Sequence, residues 1–425
     1  MRWALFSEIV VMSWDTLRGN KMRSFLTVLG IVIGITSIVG ITALVRGFDE
    51  SFKDSIKTIG PDTIFITKIS IVSVSSGANR TELMKRPNIT TADADALERN
   101  APSIEVVDIM FGSNGGPRDR VYFRNQKSKN IQIIGTTEQY PSVTRVPIEI
   151  GRFFTAAEVQ HRRPVVVLGQ SPYQALFPAE DPLGKIVRVG LVEYEVVGVM
   201  AKRPSPGGLG GGVDDFVIIP ETTYQKQFGV RANNFGRGQS RAIMLGAVPY
   251  EGVPREQAMR EIEEVMRVRH NLRLDQANDF DLVTQDAVLK VWDQISSATF
   301  LTLIVLSSIA LMVGGIGVMS IMTISVTERT REIGVRKALG ARRVEILWQF
   351  LLEAVFLTSL GGVVGIVLGA SIGWIINLVS GFPISLPWWS FAIGIGFSAS
   401  VGVFFGMVPA IRASRLDPIE ALRYE

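Results

Sequence analysis

The stretch FLTVLGIVIGITSIVGITAL, from Phe25 to Leu44, decides the fold. No charged residue occurs from Ser24 to Val45, and each Phe, Leu, Ile or Val in the stretch favours membrane insertion by roughly 0.4 kcal/mol. The stretch is long enough to cross the hydrocarbon core, which takes about 20 helical residues. It exceeds the apolar core of a signal peptide, about 7–15 residues, and no A-x-A cleavage site follows it. We therefore predict a retained transmembrane helix.

Two further uncharged runs complete the membrane part. One extends from Gln294 to Thr327, and the other covers Ala354 to Ile411 with a Gly-Pro-containing break in its middle. The longer run is predicted to hold two spans joined by a short turn, which gives four spans in total. At about 1.5 Å per residue the 294–327 run measures roughly 50 Å, about 20 Å more than the hydrocarbon core. Part of this helix is therefore predicted to project from the bilayer as a stalk.

Residues 46–293 separate the first two spans and have the pattern of a folded domain. Short β-branched runs such as Ile104–Phe111 and Ile186–Val199 predict strands, and the Thr91–Asn100 stretch predicts a helix. Glycine and proline separate these runs. The predicted fold class is an integral membrane protein with four transmembrane α-helices and a large α+β extracytoplasmic domain inserted between helices 1 and 2.

Basic residues predict the orientation in the membrane. The segment before the first span, the 328–353 connection and the 412–425 tail together account for the whole net charge of +4. The positive-inside rule places both termini and this connection in the cytoplasm and residues 46–293 outside. The basic excess thus reflects topology and does not indicate nucleic-acid binding. Aromatic residues at helical spacing before the first span predict an amphipathic helix, either on the inner leaflet or against a cytoplasmic partner.

The composition argues against most catalytic chemistry. The chain has 0 cysteines, which excludes cysteine nucleophiles. With 2 histidines a histidine-rich metal centre is not expected, and His270 is predicted at the surface. No Walker A, H-E-x-x-H or dinucleotide motif occurs. The spans contain no Asp, Glu, Lys or Arg, which disfavours an ion-coupled transporter. No catalytic, cofactor-binding or metal-binding residue is predicted, and the energy source is expected in another protein.

The charged segment after the second span is the candidate docking element. It reads VTERTREIGVRKALGARR from Val326 to Arg343 and mixes acids and bases more densely than a membrane-flanking loop requires. We predict a structured surface for a partner, with Gly334 and Gly340 as helix breaks; a solvated charge run is the simpler interpretation. The residues predicted to couple this chain to its partner are Glu328, Arg329, Arg331, Glu332, Arg336 and Lys337.

Glycine recurs every four residues in the third span, so these glycines share one helix face. Small residues on one face let transmembrane helices approach closely. The first span carries a shorter version of the same pattern. The sequence leaves open whether the face packs within the chain or against a second copy. The residues predicted to form the helix-packing face are Gly361, Gly365, Gly369 and Gly373.

The docking element also carries a family likeness. The stretch VTERTREIGVRKALGARRVEILWQFLLEA resembles the coupling segment of FtsX-type ABC transporter permeases, especially the MacB-like branch. The first span, the stretch VVVLGQSPYQALFPAEDPLGKIVRVGLVEYEVVGVMAK and the terminal PAIRASRLDPIEALRYE are similar to stretches of that branch. The likeness runs nearly end to end, and its motifs occur in the same order and topology.

The resemblance implies a type VII ABC assembly in the bacterial inner membrane, with two permease copies, here expected as a homodimer, and two ATPase subunits. Only 23 residues precede the first span, where MacB proper has an ATPase domain. The ATPase, which binds ATP and Mg, is therefore expected as a separate chain. In that family, ATP-driven motion of the coupling segment passes along the second helix to the periplasmic domain, a mechanism called mechanotransmission. Family members often also use a periplasmic adaptor and an outer-membrane channel.

The predicted function is that of a non-catalytic permease subunit of a MacB-like exporter. The alternatives are an FtsX-like signalling subunit that activates a periplasmic cell-wall enzyme, or a lipoprotein-release permease. The predicted organisation is a cytoplasmic amphipathic helix (1–23), the first span (24–45), a periplasmic α+β domain (46–293) with a β-rich insertion near 115–230, the second span with its stalk (294–327), the cytoplasmic coupling segment (328–353), the third span (354–379), a short external turn (380–387), the fourth span (388–411) and a cytoplasmic tail (412–425).

Overall fold

The computed structural model describes residues 21–57, 60–113, 115–203, 213–229 and 243–423, with side chains from residue 28 onward except at Ser380 and Arg423. Nearly all of the predicted amphipathic helix lies outside these residues. The chain divides into two compact units. The membrane unit comprises the residues up to Asp49 and those from Ser296 onward, and the outer unit comprises Glu50–Ile295.

The described residues form the following helices and strands. The helices are α1 (Lys21–Lys57), α2 (Ile71–Ser75), α3 (Arg80–Lys85), α4 (Thr91–Asn100), α5 (Tyr140–Thr144), α6 (Ala156–Gln160), α7 (Gln170–Leu176), α8 (Glu221–Phe228), α9 (Arg255–Arg269), α10 (Gln285–Glu328), α11 (Thr330–Ala338), α12 (Arg343–Ser380), α13 (Trp388–Arg415) and α14 (Pro418–Arg423). The strands are β1 (Ile64–Thr67), β2 (Ile104–Phe111), β3 (Arg118–Phe123), β4 (Gln126–Thr136), β5 (Ile148–Gly151), β6 (Val165–Leu168), β7 (Ile186–Val189), β8 (Val192–Met200), β9 (Phe216–Pro220), β10 (Ile243–Pro249) and β11 (Asp281–Thr284).

Four of the described helices are long and apolar enough to cross a membrane, namely α1, α10, α12 and α13. The α+β unit lies between the first two of them, so the predicted fold class is confirmed. Both helices that lead into the outer unit are longer than their uncharged runs. Helix α1 continues to Lys57, and α10 begins at Gln285 directly after β11.

The glycine face of α12 packs against α1 within the chain. A Cβ atom at Gly365 would lie 2.9 Å from the Cβ of Ile35, and one at Gly369 would lie 3.1 Å from the carbonyl oxygen of Thr36. The Thr36 hydroxyl donates a hydrogen bond to the carbonyl of Gly365 at 3.1 Å. The spacing from α1 is looser at Gly373, where the nearest atom of α1 would be 4.0 Å away and an atom of the loop after α12 would be 3.5 Å away. These contacts give the glycine face a partner inside this chain.

The sheet of the outer unit combines an open part with a closed ring. The open part has the order β11-β1-β10-β2, with antiparallel neighbours throughout. Strand β2 then pairs with β4, which belongs to a ring of β4, β3, β7, β8, β6 and β9. The ring closes because β9 pairs with β6, as at Val167 and Ile218, and also with β4, as at Ile133 and Val217.

Two details of the outer unit differ from the sequence prediction. The single strand predicted over Ile186–Val199 is the hairpin β7–β8, which turns at Gly190 with a φ of 64°. His270, predicted at the surface, is nearly buried, with its Nδ1 2.7 Å from Oδ1 of Asp279 and its ring edge-on to Phe280. The histidine lies in the loop after α9, which folds back onto the domain. The prediction was wrong because the sequence pattern of α9 does not indicate the path of this loop.

A buried carboxylate fixes the end of strand β4. The Asp108 carboxylate accepts hydrogen bonds from the hydroxyls of Thr136 and Thr137 at 2.6–2.8 Å, and from the Thr137 amide at 3.1 Å. Burial raises the pKa of Asp108 to about 7, although these hydrogen bonds oppose the increase. The side chain is fully buried, and its donors come from the last residue of β4 and from the residue that follows it.

The glycine contacts predict a position-dependent cost of substitution. Gly365→Leu should lower the free energy of unfolding by about 1–3 kcal/mol, because the added side chain overlaps α1. Gly396→Leu is the matched control, since a Cβ there meets no atom within 4 Å. Thermal unfolding of both variants in detergent measures the difference. Equal melting temperatures would show that α1 and α12 do not pack through this face.

Candidate coupling site

The predicted docking segment contains the end of α10, the short helix α11 and the tight turn that precedes α12. Helix α10 ends at Glu328 and α11 begins at Thr330, whose hydroxyl donates to the carbonyl of Val326 at 3.0 Å. Helix α11 ends before Gly340, which has a φ of 98°, a value that favours glycine. The break predicted at Gly340 is therefore confirmed. A capping box at the start of α12, in which Glu345 accepts from the Arg342 amide at 3.0 Å, begins the next helix.

The break predicted at Gly334 is wrong. Gly334 is buried in the middle of α11, and a Cβ there would lie 2.8 Å from the Cβ of Ala421 on α14. The glycine is thus a close-packing position, at which the backbone of α11 approaches the C-terminal helix. Its neighbour Ile333 joins the apolar cluster that also contains Phe350 of α12 and Ala413 of α13.

Lys337 fastens α11 to the end of α13. Its Nζ donates to the carbonyl oxygens of Ser414 at 2.7 Å and Leu416 at 2.6 Å. Carbonyls at a helix C-terminus have no partner within the helix and carry partial negative charge, so an ammonium group stabilises them. Burial lowers the pKa of Lys337, and the nearby Arg343 lowers it further. The residue therefore acts as a structural latch.

Two arginines fasten the same segment to α12. Arg336 donates to the side-chain oxygen of Gln349 at 2.8 Å and to Glu332 at 2.7 Å. Arg329 lies 3.7 Å from the carboxylate of Glu353, whose side chain is only 3% exposed. A buried carboxylate needs a cation nearby, because an uncompensated charge in an apolar setting is strongly destabilising. Arg329, the residue between α10 and α11, therefore has a structural role: its charge compensates that of Glu353.

The other predicted coupling residues are exposed. Several apolar side chains near them, which the sequence analysis did not predict as coupling residues, are exposed as well. Glu328, Arg331 and Glu332 are exposed, and so is Leu339, at 83%. Val335, Val344 and Trp348 are also exposed, the last at 51%. The i, i+4 spacing of Val335 and Leu339 places them on one helix face and could have predicted this apolar surface, but charged residues surround both of them in the sequence. We define the coupling surface as six exposed side chains on α11, at its C-terminal cap and in the first turns of α12, namely Arg331, Glu332, Val335, Leu339, Val344 and Trp348.

The part of the chain that the structure describes holds no group of three or more His, Asp or Glu residues placed to bind a metal ion. The arrangement around α11 is one of packing and latching contacts. It can hold a short helix rigidly at the end of a long one and present a mixed apolar and charged surface.

The chain matches two known families. Residues 24–265 match the family described as MacB-like periplasmic core domain, and residues 304–418 match the family described as FtsX-like permease C-terminal. This chain belongs to the MacB-like, FtsX-type ABC transporter permeases. The second match contains the coupling surface of the permease, and the first contains the whole sheet of its outer unit up to β10.

Relatives of the permease are similar over nearly its whole length. A protein from Bdellovibrio bacteriovorus named "Macrolide export ATP-binding/permease protein MacB" is 32% identical over 413 residues, covering 97% of this chain and 61% of that protein. A protein of the same name from Mannheimia succiniciproducens is 33% identical over 419 residues, covering 98% of this chain and 61% of the relative. The permease chain therefore spans about three fifths of the length of these relatives.

Among solved structures, the periplasmic region of MacB from Actinobacillus actinomycetemcomitans is similar to the permease. The identity is 21% and the TM-score is 0.43, with 56% of this chain and 95% of that chain covered.

The latch predicts different roles for two neighbouring cations of the permease. Lys337→Met keeps the length of the side chain but loses both charge-assisted hydrogen bonds, so stability should fall by about 2 kcal/mol and α11 should exchange its amide hydrogens faster. Arg331→Met, at an exposed position on the same helix, should change stability by less than about 0.5 kcal/mol. Hydrogen exchange of residues 330–338 provides the comparison. Equal protection of α11 in the two variants would remove the latch assignment.

Proposed function

We propose that this permease is the non-catalytic membrane subunit of a MacB-like ABC exporter. An ATPase binds the coupling surface, and its nucleotide-driven motion passes along α10 to the outer unit, which expels a substrate captured outside the inner membrane. The observation that carries the proposal is the continuity of α10. One helix of 44 residues begins directly after a strand of the outer unit and ends one residue before α11.

The length of α10 suits this mechanism. At about 1.5 Å per residue, 44 residues measure roughly 66 Å, about twice the thickness of a hydrocarbon core. Latches on both sides of α11 support the transfer of motion, because a docking helix that moved independently would not displace α10. The contacts of Arg329 and Arg336 to α12, and of Lys337 to α13, make α11 move with the helices around it.

The uncharged spans support a route outside the membrane core. The 24–45, 294–327, 354–379 and 388–411 stretches contain no Asp, Glu, Lys or Arg. Polar and ionisable groups within the membrane mark most substrate and ion pathways, so their absence favours a mechanism in which the substrate does not pass between these helices. The names of the relatives, macrolide export proteins, favour export over activation of a cell-wall enzyme or lipoprotein release.

The proposed assembly has several further parts. Two copies of this permease form a homodimer with two ATPase subunits, which bind ATP and Mg²⁺. Both termini and the coupling surface face the cytoplasm of a bacterial cell, as the positive-inside distribution of Lys and Arg predicts. The outer unit faces the periplasm, where an adaptor and an outer-membrane channel complete the export route.

Replacing Leu339 by Glu tests the docking surface. Leu339→Glu should weaken binding of the cognate ABC ATPase by about 25-fold or more, because a central apolar contact is replaced by a charge. The folded permease should be unaffected, since the side chain is 83% exposed. Leu191→Glu is the matched control, at a 95% exposed leucine in the β7–β8 turn of the outer unit. ATPase affinity in nanodiscs and erythromycin resistance of cells expressing both proteins are the measurements.

The proposal requires both measurements to change together. Wild-type ATPase binding by Leu339→Glu would contradict the docking surface. Loss of binding without any effect on erythromycin resistance would contradict a macrolide substrate.

A further inference from the structure

Acidic residues cluster where α10 begins, and each has a cationic partner on a different element of the outer unit. Asp281 lies on β11, Asp286 is in the first turn of α10, and Asp293 follows two turns later on the same helix face. All of them, and all of their partners, belong to the outer unit. Neither the docking contacts nor the glycine packing accounts for this arrangement.

Asp281 is the most enclosed of the three. Its Oδ1 accepts from Arg86 at 2.8 Å, and its Oδ2 accepts from the Ser70 amide at 2.8 Å and from the hydroxyl of Ser73. Arg86 also donates to the carbonyl of Lys68, just after β1, at 2.9 Å. Burial by itself would raise the pKa of Asp281, but the hydrogen bonds from Ser73, Arg86 and Ser70 outweigh it and hold the pKa below its usual value.

The other two acids reach different helices. Asp286 Oδ2 lies 2.5 Å from Nη2 of Arg255, the first residue of α9. Asp293 Oδ1 lies 2.8 Å from Nζ of Lys53, in the last part of α1. These two acids are more than half exposed, so each pair by itself contributes little to stability.

An aromatic contact accompanies the outermost pair. The rings of Phe52 and Trp292 stack with their centroids 4.1 Å apart, one residue before Lys53 and one before Asp293. Neighbouring residues of α1 and α10 are thus joined by an ion pair and a ring stack. Val291, next to Trp292, is buried. The start of α10 is therefore attached to α1 and α9, and the strand directly before it, β11, is attached to the loop after α3.

We propose that Asp281, Asp286 and Asp293 are positioning residues that clamp the base of α10 to the outer unit, so that displacement of α10 moves this unit as a whole. The inference rests on the proposed function. Attachments to several elements, about 10 Å apart along the helix between Asp286 and Asp293, resist both sliding and rotation of its end. Because the exposed pairs add little stability, their contribution is to geometry.

A distance measurement tests the clamp without any partner. The chain contains 0 cysteines, so spin labels at Glu264→Cys on α9 and Gln294→Cys on α10 are specific. In full-length permease in nanodiscs we expect a narrow distance distribution between them. The double variant Asp286→Asn with Asp293→Asn should broaden this distribution at unchanged melting temperature. Glu82→Gln, which breaks the exposed 2.8 Å pair with Lys85 on α3, is the matched control and should leave it narrow.

The coupling role is tested in the complex with the ATPase. ATP-dependent change in hydrogen exchange of β1 and β11 should fall by about 2- to 25-fold in the double variant, the range produced by mutations along coupling networks, while ATP hydrolysis is retained. Reversing one partner, Asp293→Lys, should have a similar effect, and adding Lys53→Asp should restore the response. Rescue by the swapped pair would show that the contact between positions 53 and 293 carries the effect, and a lost ATP response at unchanged melting temperature would separate coupling from stability.

The two experiments separate the possible failures. A narrow distribution in the double variant, or an undiminished ATP-dependent response, would overturn the clamp. Absence of any ATP-dependent change in the wild-type complex would overturn the proposed function, and the spin-label distances would still decide whether the acids fix the base of α10.

Discussion

Every backbone N–H inside a bilayer must find its partner within the chain, and α10 meets this requirement as one helix of 44 residues, about twice the length that a bilayer core requires. A helix resists stretching and compression along its axis, because each of its residues is hydrogen-bonded to residues one turn away. The contacts at its two ends therefore decide what it can do. At one end α11 follows after a single residue, and at the other β11 joins it without a loop.

Several charged residues near both ends of α10 make contacts within the chain. Lys337 and Arg336 direct their charges inward, to helix-end carbonyls and to side chains of α11 and α12. Asp281 does the same at the opposite end, through Arg86. A charged segment beside a membrane span is easily interpreted as a contact surface. In this permease the proposal of a docking surface depends more on the exposed apolar side chains, Leu339 above all.

Sequence reasoning predicted the parts of the fold that depend on local pattern. The spans follow from uninterrupted apolar runs, and the turn at Gly340 follows from residue type. It could not predict contacts between distant residues. The repeat of glycines defines a face of α12, but the identity of its neighbour, Ile35 and its surroundings on α1, is a property of the packed helices. Gly334 was misinterpreted for the same reason, since its role depends on Ala421.

The acidic residues at the base of α10 show even more clearly that sequence patterns do not predict contacts between distant residues. Asp293 pairs with Lys53, which lies at the other end of the outer unit in sequence, and no local spacing connects the two. His270 was misplaced because the loop after α9 folds back toward Asp279. Family resemblance indicated the architecture, whereas the division of the charged residues into buried contacts and exposed ones depends on the three-dimensional structure.

The central claim is that α10 acts as an unbroken lever between the coupling surface and the outer unit. Substituting Ser296→Gly together with Ser297→Pro should interrupt the helix, because proline removes a hydrogen bond and clashes with the preceding turn. Ser297→Ala keeps the helix and serves as the control. Hydrogen exchange of the outer unit, compared with and without ATP in the complex with the ATPase, is the decisive measurement. The account predicts that ATP hydrolysis persists in the interrupted variant while the response of the outer unit disappears. A response equal to that of the control would contradict it.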